Sequence, residues 1–239
     1  MSICIVFVCN QKYLPKFAKT LNDLRIKGAY KGEILLIIGN DLLEQQSFLQ
    51  TKYNIKTKYF PNIQFSENFM KKFSQLNRPG HWRDKIFQYH KFHLFNDFFK
   101  QWDYVFYLDC GITITSNIAP MLKLAEKNTF LAHNDAYPTM LGKWKLEIQF
   151  DSTQPEFKLL ESKYNLKVDY FQTTIMLFDT SLIDNNTFQD LLELTEEYPI
   201  SRTNDQGMIA LYFICVNPHW KQITIQDKEQ YYYDYKKRA

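Results

Sequence analysis

Short, continuous apolar runs alternate along this chain with longer amphipathic stretches, and that alternation limits the fold more than any other feature. Runs at 3–8, 33–38, 56–60, 104–108, 129–133 and 170–178 are rich in β-branched and aromatic residues. The run at 3–8 suits a strand covered on both faces, 33–38 and 104–108 read as buried strands, and 56–60 as a third strand before Pro61. Between them, 13–27 carries Leu14, Phe17, Ala18, Leu21 and Leu24 at helical spacing, with Gly28 as a stop. Residues 42–52, 118–127, 187–198 (Thr187 as N-cap) and 204–213 also read as helices. The longest helical pattern, 82–100, shows an apolar stripe of Ile86, Tyr89, Phe92, Phe95 and Phe99. Late strands are expected at 215–216 and 222–225, and Asn77-Arg78-Pro79-Gly80 reads as a turn. Repeated strand–helix units predict an α/β fold with a mixed, mostly parallel, Rossmann-like sheet flanked by helices. Without internal repeat or Gly/Ser linker, a single domain over 1–239 is the simplest organisation. Residues 142–165 lack a clear period and read as part of an insertion.

Composition narrows the function. With 29 basic and 26 acidic residues the net charge is +3, too balanced for a chain dedicated to the nucleic-acid backbone. Neither an apolar run of membrane-spanning length nor a signal-peptide pattern is visible. Cys4, Cys9, Cys110 and Cys215 form no C-x-x-C pair and read as reduced thiols, which predicts a cytoplasmic setting. The chain lacks G-x-G-x-x-G after the first strand, a phosphate-binding G-x-x-x-x-G-K-[ST] loop, and a G-x-S-x-G elbow. His90 and His93 are one helical turn apart, without the Glu that H-E-x-x-H requires.

The sharpest local signal is Tyr107-Leu108-Asp109-Cys110-Gly111. It puts a carboxylate at the carboxyl end of a buried strand, where open α/β sheets bind ligands. Such a group can hold a hard divalent ion against a diphosphate, or cap a turn, or pair with a lysine. Arg83 and Lys85 stand at the start of the long helical pattern, as a phosphate site or as a solvated face. Asp205-Gln206-Gly207 opens a helix, where an acid also serves the helix dipole.

The order of these pieces resembles glycosyltransferase family 8, the glycogenin-like enzymes with the GT-A fold. Tyr13-Leu14 with Ala18 and Leu21 looks like that family's first helix. The run YVFYLDCGITITSNIAPML, 104–122, resembles its strand, metal motif and Ser-Asn-Ile-Asp segment. Tyr170-Phe171-Gln172-Thr173-Thr174 resembles its Phe-Asn-Ser-Gly strand, and Asn204-Asp205-Gln206-Gly207 its Gly-Asp-Gln-Gly segment. The resemblance implies nucleotide-sugar contacts at Asn10, Tyr13, Arg83, Lys85, Asp109, Cys110, Gly111, Asp135 and Gln206. It implies Asp205 and Gln172 on the sugar's reacting face, and a Mn2+ or Mg2+ ion on Asp109 with His219. The departures are Gly111 in place of the second Asp of D-x-D, Gln172 in place of Asn, and a longer stretch at about 136–169.

What the resemblance implies is a glycosyltransferase of the EC 2.4 class, a hexosyl- or pentosyltransferase. It would move a sugar from a nucleotide-diphospho-sugar, a UDP-sugar in the first instance, to a glycan, protein or small-molecule acceptor with retention. A non-catalytic module binding nucleotide sugar or glycan is the alternative, motivated by Gly111; a homodimer stays open. A nucleotidyltransferase ranks last, because Cys9-Asn10-Gln11-Lys12 lacks the glycines such a loop needs. The tyrosine-rich, basic end at 231–238 reads as a mobile end or as packing on the domain, or as a segment that touches a membrane or an acceptor glycan.

Overall fold

The computed structural model describes residues 1–76, 85–137 and 140–223. The turn expected at 77–80, Arg83 and the 231–238 segment lie outside the described residues. Seven strands form one sheet: β1 (Ile3–Cys9), β2 (Ile34–Ile38), β3 (Lys56–Tyr59), β4 (Tyr104–Leu108), β5 (Phe130–Asn134), β6 (Phe171–Asp179) and β7 (Trp220–Gln222). Their order is β3-β2-β1-β4-β6-β5-β7, and only β6 runs against its neighbours. The continuous apolar runs give this result directly, because β1, β2, β4, β5 and β6 are covered on both sides. Cys4, Val6, Leu35, Ile37, Val105 and Tyr107 face one core, and Ile5, Phe7, Leu36, Ile38, Phe106 and Leu108 face the other.

Helix α1 (Leu14–Ile26) buries Phe17, Leu21 and Leu24 on the second core. Helices α2 (Gln46–Tyr53), α3 (Glu67–Leu76), α4 (Ala119–Leu122), α5 (Pro155–Lys163), α6 (Thr187–Glu197) and α7 (Asp205–Leu211) follow. The sequence did not reveal α3 or α5. Residues 118–127 hold only the short α4, and Thr187 is the first residue of α6 rather than its cap, its hydroxyl donating to Asp184. The strand expected at 215–216 is part of a π-helical turn, Tyr212–Val216, continuing α7, and β7 starts at Trp220. Among the described residues no helix is long and apolar enough to cross a membrane.

One departure matters for function. Residues 86–101 do not form a single α-helix but two 3-10 segments, Ile86–Phe95 and Asp97–Gln101. Asn96 breaks them: its backbone is extended and its side chain accepts the N–H of Phe98. The stripe itself carries this repeat, because Ile86, Tyr89, Phe92 and Phe95 are spaced by three, the period of a 3-10 helix. Everything from Tyr89 to Phe95 is buried.

His90 and His93 belong to this segment and are structural. His93 is stacked between Phe60 (ring centroids 4.4 Å apart) and Phe188 (4.8 Å), and its Nε2 donates to the Pro61 carbonyl at 3.3 Å. His90 Nε2 donates to the Ile38 carbonyl at 3.3 Å. Burial pulls the His90 pKa from 6.5 to about 4, and burial with the neighbouring His90 pulls His93 to about 3. Both rings stay neutral in the folded chain at pH values where an unfolded chain would protonate them. Their contribution is therefore complete above about pH 6.5 and is lost as pH falls towards 4 and 3, on the order of several kcal/mol. Urea midpoints should fall steadily between pH 6.5 and 4.5, and His93→Phe should flatten that decline. A flat wild-type profile would contradict the assignment.

Candidate active site

Lys91 is 9% exposed, and the 3-10 winding drives its side chain beneath the carboxyl ends of the parallel strands. Its Nζ lies 2.8 Å from Asp205 Oδ2, 3.2 Å from Asp109 Oδ1 and 3.2 Å from Thr173 Oγ1, and 5.5 Å from the centre of the Tyr107 ring. A buried ammonium needs such partners, since charge removed from water is costly unless paired. Burial pulls the Lys91 pKa down, but Asp109 and Asp205 together hold it above the ordinary lysine range. Asp205 is 2% exposed, and burial pushes its carboxyl up against the pull of Lys91. With three oxygens accepting from one Nζ, the charged pair is the state the geometry supports. Tyr107 donates its hydroxyl to Asp109 Oδ1 at 2.5 Å, and burial and the Asp109 charge keep it a phenol.

Asp205 reaches this position through an unusual turn. Asn204, just before α7, has φ +57 and ψ −121, a region costing a non-glycine residue about 1–3 kcal/mol. Two bonds hold it there: Asn204 Nδ2 donates to Gln88 Oε1 at 2.6 Å, and Ser201 Oγ donates to the Asn204 carbonyl at 2.8 Å.

Above Lys91 opens a cleft of about 370 Å³, set between the ends of β1 and β4. Asn10, Tyr13, Lys85, Asp109, Cys110 and Gly111, all expected at the site, line it together. So do Lys12, Lys16 and Lys91. Cys110 is not a thiolate: its hydrogen bond with Cys9, then burial, push its pKa well up. A smaller hollow of about 190 Å³ adjoins the cleft, sharing Asn10 and Phe87 and adding Asp41 and Asn62.

A second polar group gathers around Gln206. Gln206 Nε2 donates to Gln149 Oε1 at 3.0 Å and to Asp135 Oδ2 at 3.3 Å, and Tyr170 donates to the same Asp135 oxygen at 2.9 Å. Asp205 and Gln206 are adjacent, so the start of α7 joins this network to Lys91. Gln149 comes from the 136–169 stretch, through the 3-10 segment Leu146–Gln149.

Two expected residues are placed elsewhere. Gln172 turns towards His133 and Thr174, and Thr173 takes the position beside Lys91 and Asp205. The register of β6 against β5 shifts between Ala132 and Asn134, and such a bulge re-aims side chains. His219 sits at the opposite end of the sheet, where its backbone pairs with Phe130 and its Nδ1 donates to the Asn128 carbonyl at 3.1 Å. Sequence reasoning missed Lys91 and Gln149. Lys85, Gln88 and Lys91 share the three-residue spacing, so a 3-10 reading would have put all three on one row.

The described residues do not fit a resident divalent cation. A hard ion gathers several oxygen ligands. Here Asp109 is the only carboxylate lining the described cleft, and its Oδ1 is shared with an ammonium and a phenol. Gly111 offers no side chain, and His219 is too far along the sheet to join. Among the described residues, no three His, Cys, Asp or Glu side chains converge on a common point.

A family model described as Glycosyl transferase family 8 matches residues 4–239. No curated protein matches significantly. Among solved structures, the galactosyltransferase LgtC in complex with donor and acceptor sugar analogs is 12% identical, with a TM-score of 0.62 over 92% of this chain and 73% of that one. Apo GlyE, a glycosyltransferase of Streptococcus pneumoniae, is 14% identical with a TM-score of 0.54, covering 95% of this chain and 46% of its own. The bifunctional glycosyltransferase WbbM, in its apo form, is 12% identical with a TM-score of 0.57, covering 93% and 38% respectively. At these identities the solved structures establish the shared GT-A fold alone, and this chain spans less than half of the last two.

The buried pair gives a direct stability test. Lys91→Met strands Asp205 without its cation and should cost about 3–5 kcal/mol in urea unfolding. Lys91→Met with Asp205→Leu should regain more than half of that loss. Equal destabilisation in the single and double variants would contradict the pairing.

Proposed function

The chain belongs to glycosyl transferase family 8 and is a glycosyltransferase by that membership, and we propose that it moves a sugar from a nucleotide-diphospho-sugar, a UDP-sugar in the first instance, to an acceptor with retention of configuration. The carrying observation is the lysine-lined cleft at the ends of β1 and β4, joined through Asp205 and Gln206 to the polar network of Asp135 and Gln149. Ligands of open α/β sheets enter where neighbouring strands send their connections to opposite sides. Here β1 leads outward to β2 and β4 leads the other way, and the cleft lies between them.

The difficult step is departure of a nucleoside diphosphate, which accumulates negative charge. Family members generally use a divalent metal there, but the residues here supply cations of their own, so no step is assigned to a metal. Lys85, Lys12 and Lys16 stand around the space a diphosphate would fill, and fixed charge aimed at a developing anion is among the largest catalytic contributions. Lys91 acts from below, as an ammonium fixed by Asp109 and Asp205. Asn10 and Phe87, which also line the smaller hollow, offer the nucleoside a polar and an aromatic contact. Asp135 and Gln206 would accept and donate hydrogen bonds to sugar hydroxyls, fixing the anomeric carbon for attack. Asp205 is a positioning residue in this account, because its carboxylate is buried against Lys91. Residues 136–169 would shape the acceptor side, since Gln149 brings that stretch to Gln206.

A non-catalytic binding module is the second reading, favoured by one observation: Gly111 stands where the family carries an acid. Donor hydrolysis over hours, across a panel of nucleotide sugars, separates the two. The transferase reading expects turnover from at least one donor. It also expects Gln206→Ala to lower kcat by about 10²-fold while leaving nucleoside-diphosphate affinity nearly unchanged, since orientation of the sugar alone is lost. Binding without hydrolysis, with or without acceptors, would favour the module.

A further inference from the structure

We propose that the cleft binds the donor diphosphate through lysine ammonium groups and without a divalent cation, Lys16 occupying the place of a second acidic ligand. The proposal rests on the reading of this cleft as a nucleotide-diphospho-sugar site.

Gly111 is the residue that replaces the second Asp of the D-x-D pattern, and the stem of Lys16 packs beside that position. Its φ is +96, a conformation an aspartate rarely adopts. The loop is pinned in this shape: Gly111 N–H donates to Thr20 Oγ1 at 2.9 Å, and the same hydroxyl donates to the Ile112 carbonyl at 2.8 Å. A Cβ on residue 111 would stand 3.2 Å from Lys16 Cδ and 3.6 Å from Lys16 Cβ. The stem of Lys16 thus lies over the spot from which a carboxylate would reach an ion. Its Nζ sits 5.4 Å from the centre of the Tyr13 ring, and both side chains line the cleft.

Charge points the same way. Lys12, Lys16, Lys85 and Lys91 line the described cleft against the single carboxylate of Asp109, which already faces Lys91. An incoming divalent cation meets repulsion from these ammonium groups, whereas a diphosphate is drawn to them. Lysine serves phosphate as a compact point charge with rotatable donors, so no fixed coordination geometry is required.

Calorimetric titration of UDP, GDP, CDP and ADP, first in EDTA and then in manganese, tests this. The tightest binder in EDTA should keep its affinity within tenfold when manganese is added. Lys16→Gln, at an exposed side chain, should weaken that binder about tenfold in EDTA and reduce its sensitivity to added salt. Binding that appears only with manganese, or improves more than tenfold with it, overturns this inference and leaves the nucleotide-sugar reading standing. Unchanged affinity in Lys16→Gln overturns the role given to that lysine. Absence of binding by all four nucleotides under both conditions removes the donor reading, and this inference with it.

Discussion

One ammonium group, Lys91, links parts of the chain that sequence keeps far apart. Its partners are Asp109 after β4, Thr173 on β6 and Asp205 at the start of α7. Each alone would be an uncompensated polar group beneath a cleft, and desolvation would set them against the fold. Together they satisfy one another, and the cleft floor acquires a fixed arrangement of charge. The cost is met by geometry, since burying a lysine demands several close oxygens at once. That demand explains the local irregularities nearby: the 3-10 winding of Ile86–Phe95, the positive φ of Asn204 and the bulge that turns Thr173 inward.

The site consequently has two levels. Above is an open, lysine-lined cleft with exposed, adaptable side chains; below is a buried ion cluster that fixes where Asp109 stands. Asp109 acts as the joint between them. A carboxylate in that position is expected to hold a cation, and it does, but the cation is part of the protein. Asp109 Oδ1 thus meets both the Lys91 ammonium and the Tyr107 hydroxyl. The stem of Lys16 passes beside Gly111, its Cδ 3.2 Å from where a Cβ on that residue would stand. Gln206, beside Asp205, extends the arrangement towards Asp135 and Gln149, so cleft and polar network are set by one helix start.

Much of the molecule was legible without coordinates. Doubly covered strands announce themselves as unbroken apolar runs, and β1, β2, β4, β5 and β6 were readable for that reason. Of the late strands expected, 215–216 is helical, and that at 222–225 meets β7 at Gln222, its residues 224–225 lying outside the described residues. The cleft residues Asn10, Tyr13, Lys85, Asp109, Cys110 and Gly111 were readable because strand ends in such sheets face the ligand. Gln172 and His219 lie away from the cleft for distinct reasons. A bulge in β6 changes which residue faces the site, and a one-residue change of parity is invisible to a motif. His219 lies at the wrong end of the sheet, which depends on where β7 starts its pairing with β5. Lys91 escaped because an α-helical period was applied to a row spaced by three, and α5 because it buries Leu160 alone.

The amino-acid sequence by itself determined the alternation of strands and helices, the parallel sheet, and the acid at the end of β4, because these depend on local apolar patterning and strand direction. Only the tertiary structure decided which charges meet. Residues 91, 109, 173 and 205 become neighbours through strand order, a bulge and a tightened helix. Those are long-range packing outcomes, and they set the Asp109 carboxylate against a buried lysine.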